Sequence, residues 1–169
     1  TSKSEQSRAI QLATGSHYSH CGIIYRENNR LYVFEAVQPV KRTPFNEFVQ
    51  RGENGQYVVK RLRDAERVLT EPILKSMKRE ADQMIGKTYD SQFNWSDDEI
   101  YCSELVWKLY ERATGIHLGK LKQLKDFNLK DPIVQDVLEN RYGGKIPWDE
   151  PVISPADIFD SKELVTVKG

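Results

Sequence analysis

The sequence has 169 residues, which suits one globular domain with a core of useful size. Its 25 lysines and arginines balance 25 aspartates and glutamates, so no overall field gathers nucleic acid or an anionic membrane. No apolar run reaches the roughly 20 residues that span a bilayer, and two cysteines are too few for a disulfide framework.

The opening Thr1-Ser2-Lys3-Ser4 is polar and carries no signal-peptide pattern. Ser4 to Thr14 reads as a first helix, with Ser4 as N-cap and Gly15 as its stop. His17-Tyr18-Ser19-His20 leads into a strand, Cys21 to Tyr25. Glu27-Asn28-Asn29-Arg30 then turns into a second strand, Leu31 to Val37. Two asparagines tolerate positive φ at both central positions, so a tight hairpin is expected. Apolar residues on both faces place these strands in a covered sheet.

Phe45 to Val49 reads as a helical turn after Pro44, and Gly55 to Leu62 as a third strand. Thr70-Glu71-Pro72 opens a helix whose apolar face runs through Ile73, Met77, Ala81, Met84 and Ile85 to a stop at Gly86. Tyr89 to Trp95 is aromatic and polar, a loop or short strand. Leu105, Val106, Leu109, Tyr110 and Ala113 then keep a helical beat that ends near Gly115. Asp131-Pro132 starts a helix to about Tyr142, Ser154-Pro155-Ala156-Asp157 has the form of a capping box, and Leu164 to Val167 suits an edge strand. With no repeat or linker, the reading is one α+β domain over residues 1–169.

Cys102 falls at the start of the Leu105–Ala113 helix. Free N–H groups and the positive dipole end there favour a thiolate, and the same groups can receive an oxyanion. A cysteine nucleophile also needs a base and a group that orients the base. Of three histidines, His117 lies beyond the helix with no route to Cys102, His17 sits on a loose approach, and His20 begins a buried strand.

If Asn28 and Asn29 are the central turn residues, Gly22 faces Glu35 and His20 faces Val37. His20, Gly22 and Glu35 then share a strand face, with Gly22 leaving room for Glu35 to reach the imidazole. A loop one residue different would make Gln38 the better orienter. The same parity places Cys21 on the opposite face, as a small buried residue rather than a disulfide partner. A zinc site from His17, His20 and the cysteines is the weaker alternative, because the spacing is not that of common sites. No metal or cofactor is expected.

His20-Cys21-Gly22-Ile23, Phe34-Glu35-Ala36, Gly86-Lys87-Thr88-Tyr89-Asp90, Tyr101-Cys102-Ser103-Glu104-Leu105-Val106 and Ser154 to Ile158 together resemble the permuted papain-like hydrolases of the YiiX/YebB type. These are circularly permuted relatives of the NlpC-type cell-wall peptidases. The resemblance implies an antiparallel sheet or half-barrel packed on helices. It also implies Cys102 as nucleophile, His20 as base and Glu35 as third member. Tyr101 or Tyr18 is then a candidate further oxyanion donor.

The function expected is hydrolysis of an amide bond through an acyl-enzyme on Cys102, on cell-wall peptides or N-acyl amino acids. Two alternatives keep the fold: a lipid-directed acyl hydrolase or acyltransferase, with aromatics walling an acyl pocket, and an inert binding module. The partners are a small peptide, amide or acyl substrate. Family members often carry an export signal or lipoprotein leader, which makes the cell envelope the expected location.

Overall fold

A computed structural model describes residues 4–168; Thr1 to Lys3, read above as a polar opening, and Gly169 lie outside the described residues. Helix α1 (Glu5–Thr14) starts where the Ser4 hydroxyl accepts the Ser7 amide at 3.2 Å. Strands β1 (Ile23–Glu27) and β2 (Arg30–Glu35) form the expected hairpin. Asn28 and Asn29 both take positive φ, 48° and 61°, which sets the register Ile23 to Phe34 through Glu27 to Arg30.

A strand not legible in the sequence, β3 (Lys41–Pro44), continues this sheet on the far side of β2, with Val33 opposite Thr43 and Glu35 opposite Lys41. Its composition is polar because it is an edge, yet Thr43 is buried against β2. Helix α2 (Phe45–Gln50) follows directly.

The strand expected over Gly55 to Leu62 is shorter than that. Asn54 and Gly55 take φ of 55° and 65° in a 3₁₀ turn, and only β4 (Val59–Leu62) is paired as a strand. It pairs antiparallel with the late strand β7 (Leu164–Lys168). After a short helix α3 (Ala65–Val68), α4 (Glu71–Met84) packs along α5 (Cys102–Thr114), burying Met77 and Met84. Helix α6 (Pro132–Tyr142) packs on α1. The two-residue strands β5 (Lys122–Gln123) and β6 (Pro151–Val152) pair, and α7 (Pro155–Phe159) starts at the capping box of Ser154 and Asp157.

Helix α5 is the central element, with Leu105, Val106 and Leu109 buried among Phe34, Ile100 and Ile153. It also buries charge. Glu104 has no exposed surface; Lys108 Nζ lies 2.8 Å from its Oε1 and 2.9 Å from Asp97 Oδ1. The other Glu104 oxygen accepts the Tyr101 amide at 3.3 Å, tying off the helix start. Burial raises the Glu104 carboxyl from 4.5 to about 7, against the pull of Lys108.

A folded-state value above the unfolded one means that folding takes up a proton between those two values. The stability this carries is present at low pH and lost as pH rises through about 7. Glu104→Gln should therefore gain on the native protein by on the order of 3 kcal/mol between pH 4.5 and pH 8, read as the difference in urea midpoints. A pH-independent difference between the two would refute this account of Glu104.

Candidate active site

His20, Cys21 and Gly22 approach β1 in an extended segment, anchored by buried Ser19, whose hydroxyl is 2.6 Å from that of Ser7 on α1. Glu35 is the last residue of β2 and is wholly buried. Gly22 makes their meeting possible: a Cβ there would stand 2.6 Å from Val33 Cγ1, 2.8 Å from the Phe34 carbonyl oxygen and 3.2 Å from Glu35 Cβ. With that space left empty, Glu35 Oε2 reaches His20 Nε2 at 2.6 Å.

The other Glu35 oxygen has two donors that sequence reasoning missed. Thr43 Oγ1 on β3 donates to Oε1 at 2.5 Å, and Arg51, which ends α2, donates to the same atom. Phe48 stands between the two cations, its ring centroid 5.8 Å from that of His20 and 5.6 Å from the Arg51 guanidinium carbon. Burial would raise the Glu35 carboxyl, but the hydrogen bonds from His20, Thr43 and Arg51 outweigh it and hold the group below its ordinary value. Gln38 is occupied elsewhere, accepting the Tyr89 amide at 2.7 Å.

Cys102 is the first residue of α5 and is buried. Its thiol lies well below the ordinary range. A hydrogen bond from Cys21 is the largest contributor, burial opposes it, and charge and a hydrogen bond from His20 add to the lowering. The imidazole responds in kind. Burial works against its charge, yet Cys102 and Glu35 on either side raise it from 6.5 to about 9. The His20 side chain keeps 26 % of its surface exposed, so one edge of the pair meets solvent.

Cys21 corrects the parity argument. It is half-buried, and its side chain hydrogen-bonds Cys102, which together with burial pushes its own thiol well up. Regular pleating begins only at Ile23, so alternation does not govern the approach segment and Cys21 turns towards the same centre as His20.

The tyrosines are placed as follows. Tyr101 is buried, and its hydroxyl accepts the Ile153 amide at 3.2 Å. Tyr18 stacks on Phe159 with ring centroids 4.1 Å apart. Tyr89, read from sequence only as part of an aromatic loop, bridges to Ile100 just ahead of Cys102 and accepts a 3.0 Å hydrogen bond from Gln6. Burial, followed by the charge of Cys102, pushes its phenol well up. His117 stacks on Trp107 at 4.9 Å, away from the helix start, and His17 is exposed. Among the described residues no three His, Cys, Asp or Glu side chains are arranged to hold a metal ion.

A Cβ at residue 22 has nowhere to go without moving β2. Gly22→Ala should cost about 1–3 kcal/mol by overpacking and slow iodoacetamide alkylation of Cys102 by displacing Glu35 from His20. Unchanged stability and labelling would show that Gly22 is not what holds the two together.

The geometry has counterparts among known proteins. Residues 1–168 match the sequence family described as "Permuted papain-like amidase enzyme, YaeF/YiiX, C92 family". The Escherichia coli (strain K12) protein YiiX is 46 % identical over 166 residues, covering 98 % of this chain and 81 % of that protein. The crystal structure of the metalloprotein YiiX from Escherichia coli O157:H7 superposes with a TM-score of 0.93 at 47 % identity, covering 99 % of this chain and 92 % of that one.

Proposed function

This chain belongs to the permuted papain-like amidase family, and from that membership and the geometry around Cys102 we propose that it is a cysteine amidase with Cys102, His20 and Glu35 as its catalytic triad. The observation that carries the reading is the 2.6 Å bond between His20 Nε2 and the buried Glu35, on an imidazole whose charge is supported on its other side by Cys102 at a helix start.

The resting pair is a Cys102 thiolate and a His20 imidazolium. The sulfur attacks the amide carbonyl, forming a C–S bond and moving the π electrons onto oxygen. The free amides of the first turn of α5, that of Cys102 included, receive this oxyanion. Collapse breaks the C–N bond as His20 gives its proton to the leaving amine. Neutral His20 then takes a proton from water, the resulting hydroxide attacks the thioester, and thiolate leaves. Glu35 stays ionised throughout, fixing the ring and stabilising its charge, while Thr43 and Arg51 keep the carboxylate from turning away. Peptide and N-acyl amino-acid amides are the substrates this chemistry suits. The word metalloprotein describes the relative; among the described residues no three His, Cys, Asp or Glu side chains are grouped to hold an ion, and the steps above use side chains and backbone of this chain.

Two measurements test the reading. Cys102→Ala should abolish turnover with the fold intact, and without the thiolate His20 should titrate below about 9 by NMR. Retained turnover, or an unmoved His20, would refute the pairing. In the native protein, iodoacetamide labelling of Cys102 should already be fast well below the ordinary thiol value of about 8.5. Amide cleavage should decline as pH rises through about 9, where His20 loses the proton owed to the leaving amine. A labelling midpoint near that of a free thiol would leave the fold as an inert binding module.

A further inference from the structure

Two arginines of this chain are half-buried among the described residues, and they differ in their partners. Arg42 is ion-paired with Asp82 and, at 3.8 Å, with Glu27. Arg141, on the last turn of α6, has no carboxylate within ion-pair distance among the described residues. Its guanidinium lies over the Phe93 ring, 4.5 Å from the centroid.

Arg141 opens onto a cleft of about 370 Å³ between α1, α6 and the loop after Asp90. The walls are the uncharged hydrogen-bonding side chains Gln6, Ser91, Gln92 and Asn140 and the apolar Val137, with exposed Glu5 the one acid among them. The acid beneath the loop is turned inward. Asp90 is 1 % exposed, Oδ1 accepts the Gln92 amide at 2.7 Å, and Oδ2 has no hydrogen-bond partner. Burial pushes its carboxyl up, against the backbone amides of Gln92, Asn94 and Phe93 and the charge of Arg141, with which it forms no ion pair. A guanidinium held flat on an aromatic ring, among amide side chains and without its own carboxylate, is built to receive one.

The cleft adjoins the reactive centre. Gln6, one of its walls, donates to the Tyr89 hydroxyl, and Tyr89 lies in the electrostatic field of both Cys102 and Arg141. We propose that this cleft is a substrate subsite in which Arg141 binds a carboxylate carried by the peptide or acyl amino acid whose amide Cys102 attacks. The subsite rests on the amidase reading and selects acidic substrates over neutral ones.

The test uses electrophiles that report through Cys102 itself. N-chloroacetyl-glutamate α-amide and N-chloroacetyl-glutamine α-amide differ by one carboxylate; each is used with and without a glycine spacer, and alkylation is followed by mass spectrometry. At low ionic strength the acidic probe of one spacing should alkylate about tenfold faster in kinact/KI. Arg141→Gln should erase that preference while leaving the iodoacetamide rate unchanged. Arg141→Lys, which keeps the charge, should retain part of it, and Glu5→Gln should enlarge it. Equal rates for acidic and neutral probes at both spacings, with iodoacetamide still fast, would overturn the subsite and leave the amidase reading standing. A preference that survives in Arg141→Gln would also overturn it. Slow labelling by iodoacetamide would instead fell the amidase reading, and the subsite with it.

Discussion

A carboxylate without solvent is costly unless every lone pair is engaged, and Glu35 shows what meeting that demand does to a fold. Its two oxygens draw on three separate parts of the chain: His20 from the approach to β1, Thr43 from β3 and Arg51 from the end of α2. Each donor is useful only if the element carrying it is in place. The edge strand, the short helix after it and the irregular entry to β1 are thereby tied to a single buried atom pair. The imidazole inherits its orientation from this arrangement, and its charge from Glu35 and Cys102 together.

Much of this was legible because local chemistry dictated it. Asn28-Asn29 allows one tight turn, that turn sets one register, and the register puts Glu35 opposite Gly22. The start of α5 at Cys102 followed from helical spacing. What escaped depends on tertiary reach. Lys41-Arg42-Thr43-Pro44 shows no strand alternation because an edge strand keeps its polar residues outside and buries only Thr43. Arg51 reads as one more surface cation until α2 brings it to Glu35. Cys21 was assigned to the wrong side because pleating was extended two residues beyond where the ladder begins. Tyr89 looked like loop filler, since its links to Gln6, Gln38 and Cys102 join distant parts of the chain.

The start of α5 holds opposed demands within a few residues. The helix end favours a negative sulfur at Cys102, while Glu104, two residues on, would add a second buried negative charge. Lys108 and Asp97 answer with a compact ion network on the far side of the helix, and Glu104 ties off the Tyr101 amide. The acid that stabilises the helix and the thiolate that uses it therefore face different neighbours.

The order of residues along the chain gives the Glu35 cluster one more meaning. The imidazole, its carboxylate and both auxiliary donors all precede Cys102, which enters only with α5. During synthesis, a partly made chain can carry His20 and the hairpin with Glu35, but it has no charged sulfur. Cys102, once emerged, is an ordinary thiol until α5 docks beneath Phe34 and meets His20 and Cys21. The lowered thiol is thus a property of the finished topology alone: no stretch of the chain before α5 can produce it, and α5 by itself cannot either.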